Sequence, residues 1–129
     1  MYDELIAFIG LIVLELKNQI KLQSQLADEY MVYEFKNEIN NIISRLYKIQ
    51  EDLTDPSSYE NANCTYIKTW EKDYLLSTDQ MNLVKREHPV GYCFVARAIC
   101  RRLKPSLICI HLYSFLETLG YYINYNYEL

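Results

Sequence analysis

The chain has 129 residues and a formal net charge of −4; half of its residues are apolar, 14% are aromatic, and glycine and proline number three each. This size suits one domain, the apolar share can build a core that a disordered tail cannot, and so few turn residues argue against an all-β fold. Gly10, Gly91 and Gly120 never cluster, which excludes a P-loop and a dinucleotide-binding fingerprint, and the negative balance disfavours a general nucleic-acid binder.

Residues 2–22 read as a helix, with Leu5, Phe8, Ile9, Ile12, Leu16 and Ile20 recurring at three and four residues. Leu11, Val13 and Leu14 widen that stripe and predict burial on more than one side. The apolar run 5–14 is too short to span a membrane, and Asp3 and Glu4 stand where a signal peptide would be basic. Over residues 28–53 the pattern is clearest. Phe35, Ile39, Ile42, Leu46, Ile49 and Leu53 are spaced 4, 3, 4, 3, 4, with polar residues opposite and Asp28 as the N-cap. Asp55-Pro56 ends this helix, and residues 54–65 read as a polar loop.

A short helix is predicted over 66–76, with Tyr66, Ile67, Trp70, Tyr74 and Leu75 as its apolar face. Ser77, Thr78 and Asp79 offer N-caps for a further helix to about residue 87. His88-Pro89 breaks it, and Pro89 suits the first turn of a helix over 90–103 whose apolar positions are Phe94, Val95, Ala98, Ile99 and Leu103. Pro105 ends that helix. Ser106 caps a last one through Leu107, Ile110, Leu112, Phe115, Leu116 and Leu119, and residues 120–129 either extend it or fold back on it. The expected fold is all-α: residues 1–129 form one compact single-domain bundle of about six to eight helices around a hydrophobic central helix.

Charge divides mildly along the chain. Residues 1–64 carry eleven acids and five bases, and residues 65–129 carry six acids and eight bases, which suggests internal pairing or a partner contact. Cys64, Cys93, Cys100 and Cys109 lack CxxC spacing and read as reduced core thiols, not as metal ligands or disulfides. His111 lies in an apolar helix and reads as a core or boundary histidine. An RNA-cleaving pair with Arg102 would need both on one face across Pro105. Arg97, Arg101, Arg102 and Lys104 form a basic patch near a helix C-terminus, where cations suit the helix dipole. No metal motif and no paired buried carboxylates are present, so neither an enzyme nor a cofactor is expected.

Three segments carry a further signal. Leu46-Tyr47-Lys48-Ile49-Gln50-Glu51-Asp52-Leu53 sets a leucine, an apolar residue three on, two acids and a closing leucine on one helix. Asn82-Leu83-Val84-Lys85-Arg86-Glu87-His88-Pro89-Val90-Gly91-Tyr92 joins a helix end to a glycine and a following apolar helix. Asp3-Glu4-Leu5-Ile6-Ala7-Phe8-Ile9 opens the chain. In this order they resemble the Bcl-2 family of apoptosis regulators, as its BH3 motif, its BH1 junction and its first helix. Gln50 replaces the usual small residue of BH3. Of the BH1 Asn-Trp-Gly-Arg only Gly91 survives, with Tyr92 where the family has arginine, and the BH2 region is not recognisable. The small size, the divergence and the lack of an obvious membrane tail look more like a viral homologue than a cellular one.

The resemblance implies a helix-in-groove binder. Carried over residue by residue, its groove would comprise Leu53, Leu83, Gly91, Tyr92, Val95 and Ile99. Gly91 would admit the partner backbone and Val95 with Ile99 would form the floor. A neutral Tyr92 in place of arginine implies weaker or narrower binding, with Arg86 or Arg97 as substitute charge partners. The implied function is inhibition of apoptosis, by sequestering BH3 helices of pro-apoptotic proteins such as Bim, Bak or Bax. The alternative is a viral immunomodulator with a closed groove that binds innate signalling adaptors. Both imply action in the host cytoplasm, the first at the mitochondrial periphery, without an integral membrane segment or nucleic acid. Thirteen tyrosines also suit a homodimer interface.

Overall fold

Six α-helices follow one another in the computed structural model: α1 (Asp3–Ser24), α2 (Glu29–Thr54), α3 (Tyr66–Glu71), α4 (Thr78–Arg86), α5 (Tyr92–Arg102) and α6 (Leu107–Tyr127). Two 3-10 turns, Ala62–Thr65 and Lys72–Tyr74, flank α3. The structure describes residues 2–25, 29–55, 62–86, 91–103 and 106–127, and among these there is no strand. The bundle is all-α, as its sequence pattern predicts.

α1 opens with Asp3 and Glu4 and closes with Lys21, which matches both ends of its dipole. It buries Leu5, Ile9, Ile12, Val13 and Leu16. Its buried face is narrower than the apolar stripe predicts, since Leu14 is 54% exposed. α2 follows its pattern closely: Ile39, Ile42, Leu46, Ile49 and Leu53 are all buried, and Phe35 meets Tyr127 edge-on at 5.0 Å. The Asp28 cap lies outside the described residues. Where α1 crosses α2, the Gln50 amide donates to the Ile6 carbonyl at 2.9 Å, and a Cβ on Gly10 would sit 3.4 Å from that amide.

Residues 62–65 are not loop as expected but a 3-10 turn that puts Cys64 into the core. α3 is shorter than predicted. Its last turn tightens to 3-10, and Leu75 leaves the helix in extended conformation and is exposed. Ser77 is the cap of α4: its hydroxyl accepts the Gln80 N–H at 3.2 Å and Gln80 Oε1 accepts the Ser77 N–H at 2.9 Å, a reciprocal capping box. α2 is tied to this region by Arg45. Its guanidinium donates to the Tyr74 hydroxyl at 3.0 Å, pairs with Asp73 at 2.7 Å and lies over the rings of Trp70 and Tyr74.

Asp52 is the charged residue that the core admits among the described residues. The Tyr66 hydroxyl donates to it, and Lys48 pairs with it at 3.1 Å. Burial, and then the bond to Asp52, hold the Tyr66 hydroxyl far above the usual phenol range. Removing that donor leaves a buried carboxylate oxygen unpaired. Tyr66→Phe is therefore expected to destabilise the fold by about 1–2 kcal/mol, read as a lower urea midpoint at unchanged slope.

α5 begins at Tyr92, two residues later than predicted, with Gly91 as its N-cap; Pro89 lies outside the described residues. Its buried face is Cys93, Ala96, Ile99 and Cys100. The predicted face is rotated from this one: Val95 and Ala98 are exposed, and Phe94 and Leu103 are half-buried. The reason is close helix approach. A Cβ on Gly120 of α6 would lie 2.8 Å from Phe94 Cζ and 3.1 Å from Cys93 Cβ, so the missing side chain of Gly120 makes room for the Phe94 ring and Cys93.

α6 runs unbroken to Tyr127, which decides in favour of extension over folding back. Ser106 caps it, its hydroxyl accepting the Cys109 N–H at 3.3 Å. α6 buries nine residues from Ile108 to Tyr127 and packs on α5, α3, α4 and both 3-10 turns. The central helix is thus α6, and α5 packs between α1 and α6. One contiguous core draws on every helix but α4. Tyr2, Tyr74 and Tyr127 are buried in it, so part of the tyrosine content serves the interior and not a dimer surface.

Candidate functional site

The residues that the resemblance implies for a groove are part interior and part exposed. Leu53 and Ile99 are buried in the core. Leu83 is 53% exposed on α4 and Val95 is 41% exposed on α5. α4 packs on α6, whereas α5 packs on α1 and α6. Tyr92 is half-buried with its ring 6.0 Å from that of Phe8. Arg97 pairs with Glu117 at 3.3 Å and lies over Phe94 and Tyr113. The Arg86 side chain lies outside the described residues.

Gly91 has φ 135° and ψ 171°, a combination that L side chains rarely adopt. A Cβ built there meets nothing within 4 Å. Its glycine is therefore demanded by the backbone at the start of α5. The recess it lines with Glu15, Tyr92, Gly120 and Ile123 has a volume of about 10 Å³, room for about one water molecule and not for a helix.

The larger apolar opening lies at the other end of α5. Where α5 ends and α6 begins, Cys100, Arg101, Leu103, Cys109, Ile110 and Tyr113 line a cleft of about 290 Å³. Ile110 is 59% exposed, and Leu107 one turn earlier is also exposed. Arg101 stands at the rim without an ion pair among the described residues, while Arg102 is held by Glu4 at 3.1 Å. The predicted basic patch therefore divides: Arg97 and Arg102 are neutralised by α6 and α1, and Arg101 is left facing the cleft.

The wall of this cleft holds two thiols. Cys100 and Cys109 each shift the ionisation of the other, and Tyr2 and Ser106 share a hydrogen bond of 3.0 Å beside Cys109. The bond from Cys100 holds the Cys109 thiol below the ordinary range against the effect of burial, helped by the Ser106 and Tyr2 hydroxyls. The same pairing, with burial, pushes Cys100 up. Burial also raises Cys64 and Cys93.

A second cleft, of about 270 Å³, lies between α3 and α6 and is lined by Lys68, Glu71, Ile110, His111 and Ser114. Ser114 donates to Glu71 at 3.0 Å, and His111 Nε2 is buried without a hydrogen-bond partner among the described residues. His111 thus faces α3 while Arg102 is tied to α1, so the two do not form a catalytic pair. Among the described residues no group of three metal-ligating side chains occurs, and no helix is long and apolar enough to cross a membrane.

The cleft residues carried a signal that core prediction absorbed. Residues 107–113 are apolar almost all round the helix, so some of that face had to remain uncovered unless another element met it. Family models, curated proteins and solved structures were each compared with this chain, and none matches.

Proposed function

We propose that the protein is a Bcl-2-like, non-enzymatic binding module. In this reading it acts in the host cytoplasm as a viral immunomodulator that engages an innate signalling adaptor through the α5–α6 cleft, not a BH3 helix beside Gly91. What supports it is the contrast of volumes along one helix pair: about 290 Å³ at the Ile110 end against about 10 Å³ at the Gly91 end. The cleft is apolar, with Arg101 at its edge in no ion pair among the described residues. A partner helix with apolar residues three and four apart and an acid beside them has the matching chemistry.

The competing reading is sequestration of BH3 helices of Bim, Bak or Bax. The exposure of Leu83 and Val95 favours it. Calorimetric titration of the purified protein against BH3 peptides and against purified adaptors separates the two. The expected result is adaptor binding without BH3 binding. Ile110→Asp should weaken it about thirtyfold, since a lost apolar anchor costs about 2 kcal/mol, and Val95→Asp should leave it unchanged. Ile110 is exposed, so its substitution spares the fold. Tight BH3 binding that Val95→Asp removes and Ile110→Asp leaves intact would establish the apoptosis-inhibitor reading instead. A homodimer that closes the cleft would show as concentration-dependent sedimentation abolished by Ile110→Asp.

A further inference from the structure

The α5–α6 cleft has a chemical feature that a docking surface does not need. Two cysteines, Cys100 from the last turn of α5 and Cys109 from the first turn of α6, both line its wall, and each shifts the ionisation of the other. A hydroxyl pair, Tyr2 and Ser106, backs them at 3.0 Å, and Ser106 also accepts the Cys109 backbone N–H at 3.3 Å. Cys109 sits three residues after the Ser106 cap, within the turn where helix N–H groups favour an anion. All four cysteines are buried, but only Cys100 and Cys109 line this cleft.

We propose that Cys100 and Cys109 form a dithiol modification site, oxidised to a disulfide by hydrogen peroxide or another small hydroperoxide that enters the cleft. In the first step the Cys109 sulfur, its proton released, attacks one peroxide oxygen. The S–O bond forms, the O–O bond breaks, and the departing hydroxide takes up the released proton as water. Cys109 is now a sulfenic acid. In the second step the Cys100 sulfur attacks the Cys109 sulfur. The S–S bond forms, the S–O bond breaks, and the hydroxyl leaves with the Cys100 proton as a second water. Two thiols lose two electrons and two protons, and the peroxide gains both.

The lowered thiol range of Cys109 agrees with its role as the attacking sulfur, and the raised range of Cys100 with its role as the resolving one. The new bond would join the end of α5 to the start of α6 and change the cleft wall beneath Ile110. The inference does not depend on the partner proposed above, because its test uses the protein alone.

The test is peroxide treatment of the folded full chain, quenching with an alkylating agent, and mass spectrometry of the intact protein and its tryptic peptides. The expected product has lost two hydrogens and yields one linked peptide pair carrying Cys100 and Cys109. Cys100→Ser should stop at a Cys109 sulfenic acid that dimedone traps, and Cys109→Ser should give neither product. In the untreated protein, alkylation of Cys109 should be about tenfold faster than that of Cys64 or Cys93 at neutral pH. Its rate should rise with pH to a midpoint below the ordinary thiol value of 9.0. Oxidation of Cys64 or Cys93 at an equal rate, a product without the Cys100–Cys109 link, or reaction only after denaturant is added would each overturn the proposal.

Discussion

Phe115→Ala is expected to lower the melting temperature by about 10–20 °C, the largest effect of a single substitution in this fold. Phe115 lies midway along the central helix, is fully buried, and meets Tyr74 edge-on with ring centroids 6.0 Å apart. Truncating a buried phenylalanine removes its transfer free energy and leaves a cavity, which together cost about 3–5 kcal/mol. The total stability of a small domain is about 5–15 kcal/mol, so the loss is a large share of it. Each kcal/mol corresponds to about 3–5 °C at this chain length. A thermal melt followed by circular dichroism reads it directly. A shift under about 3 °C would mean that α6 does not carry the core.

Gly91→Ala is expected to destabilise by about 1–3 kcal/mol although the added methyl group touches nothing. The cost comes from the backbone: φ 135° with ψ 171° is a region held essentially by glycine alone. Urea unfolding should show a lower midpoint with the slope unchanged. This result bears on how binding data are read. The Bcl-2 resemblance assigns Gly91 to the close approach of a partner, so a Gly91 variant that fails to bind would be taken as proof of the groove. The strained cap predicts the same failure from a shifted α5 start. Val95→Asp is free of that ambiguity, since Val95 is exposed and its helix position is ordinary. Unaltered stability in Gly91→Ala would show that α5 can begin without the glycine.

The two helices with regular patterns were legible in different degrees, and the difference is physical. α2 alternates its apolar residues at 4, 3, 4, 3, 4 with polar residues opposite, and its stripe is buried from Ile39 to Leu53. α5 offers the eye Phe94, Val95 and Ile99, but its inward positions are Cys93, Ala96, Ile99 and Cys100. At Gly120 α6 has no side chain, and the Phe94 ring and Cys93 pack into the space that leaves. That proximity is a tertiary fact that no window of one helix contains. Packing also separates the two residues of the implied groove floor: Val95 and Ile99 share a helix side, yet Ile99 is covered and Val95 is exposed. The cleft at Ile110 was missed because an all-apolar turn reads as core until the packing shows which side is left over. The Ser77 cap, by contrast, needs only Ser77 and Gln80, and local sequence held both.

The placement of α6 has a consequence for synthesis. The helix that every other part of the bundle packs around, directly or through α5 and α1, is the last of the six in chain order. While the ribosome is still making residues 107–127, α3, α4 and α5 already exist with their apolar faces uncovered. The bond between the Tyr2 and Ser106 hydroxyls spans 104 positions and can form only once residue 106 has been made. The core therefore closes after these residues leave the exit tunnel and not during their passage. Until then the nascent chain presents the kind of surface that chaperones hold and that neighbouring nascent chains on a polysome could pair with.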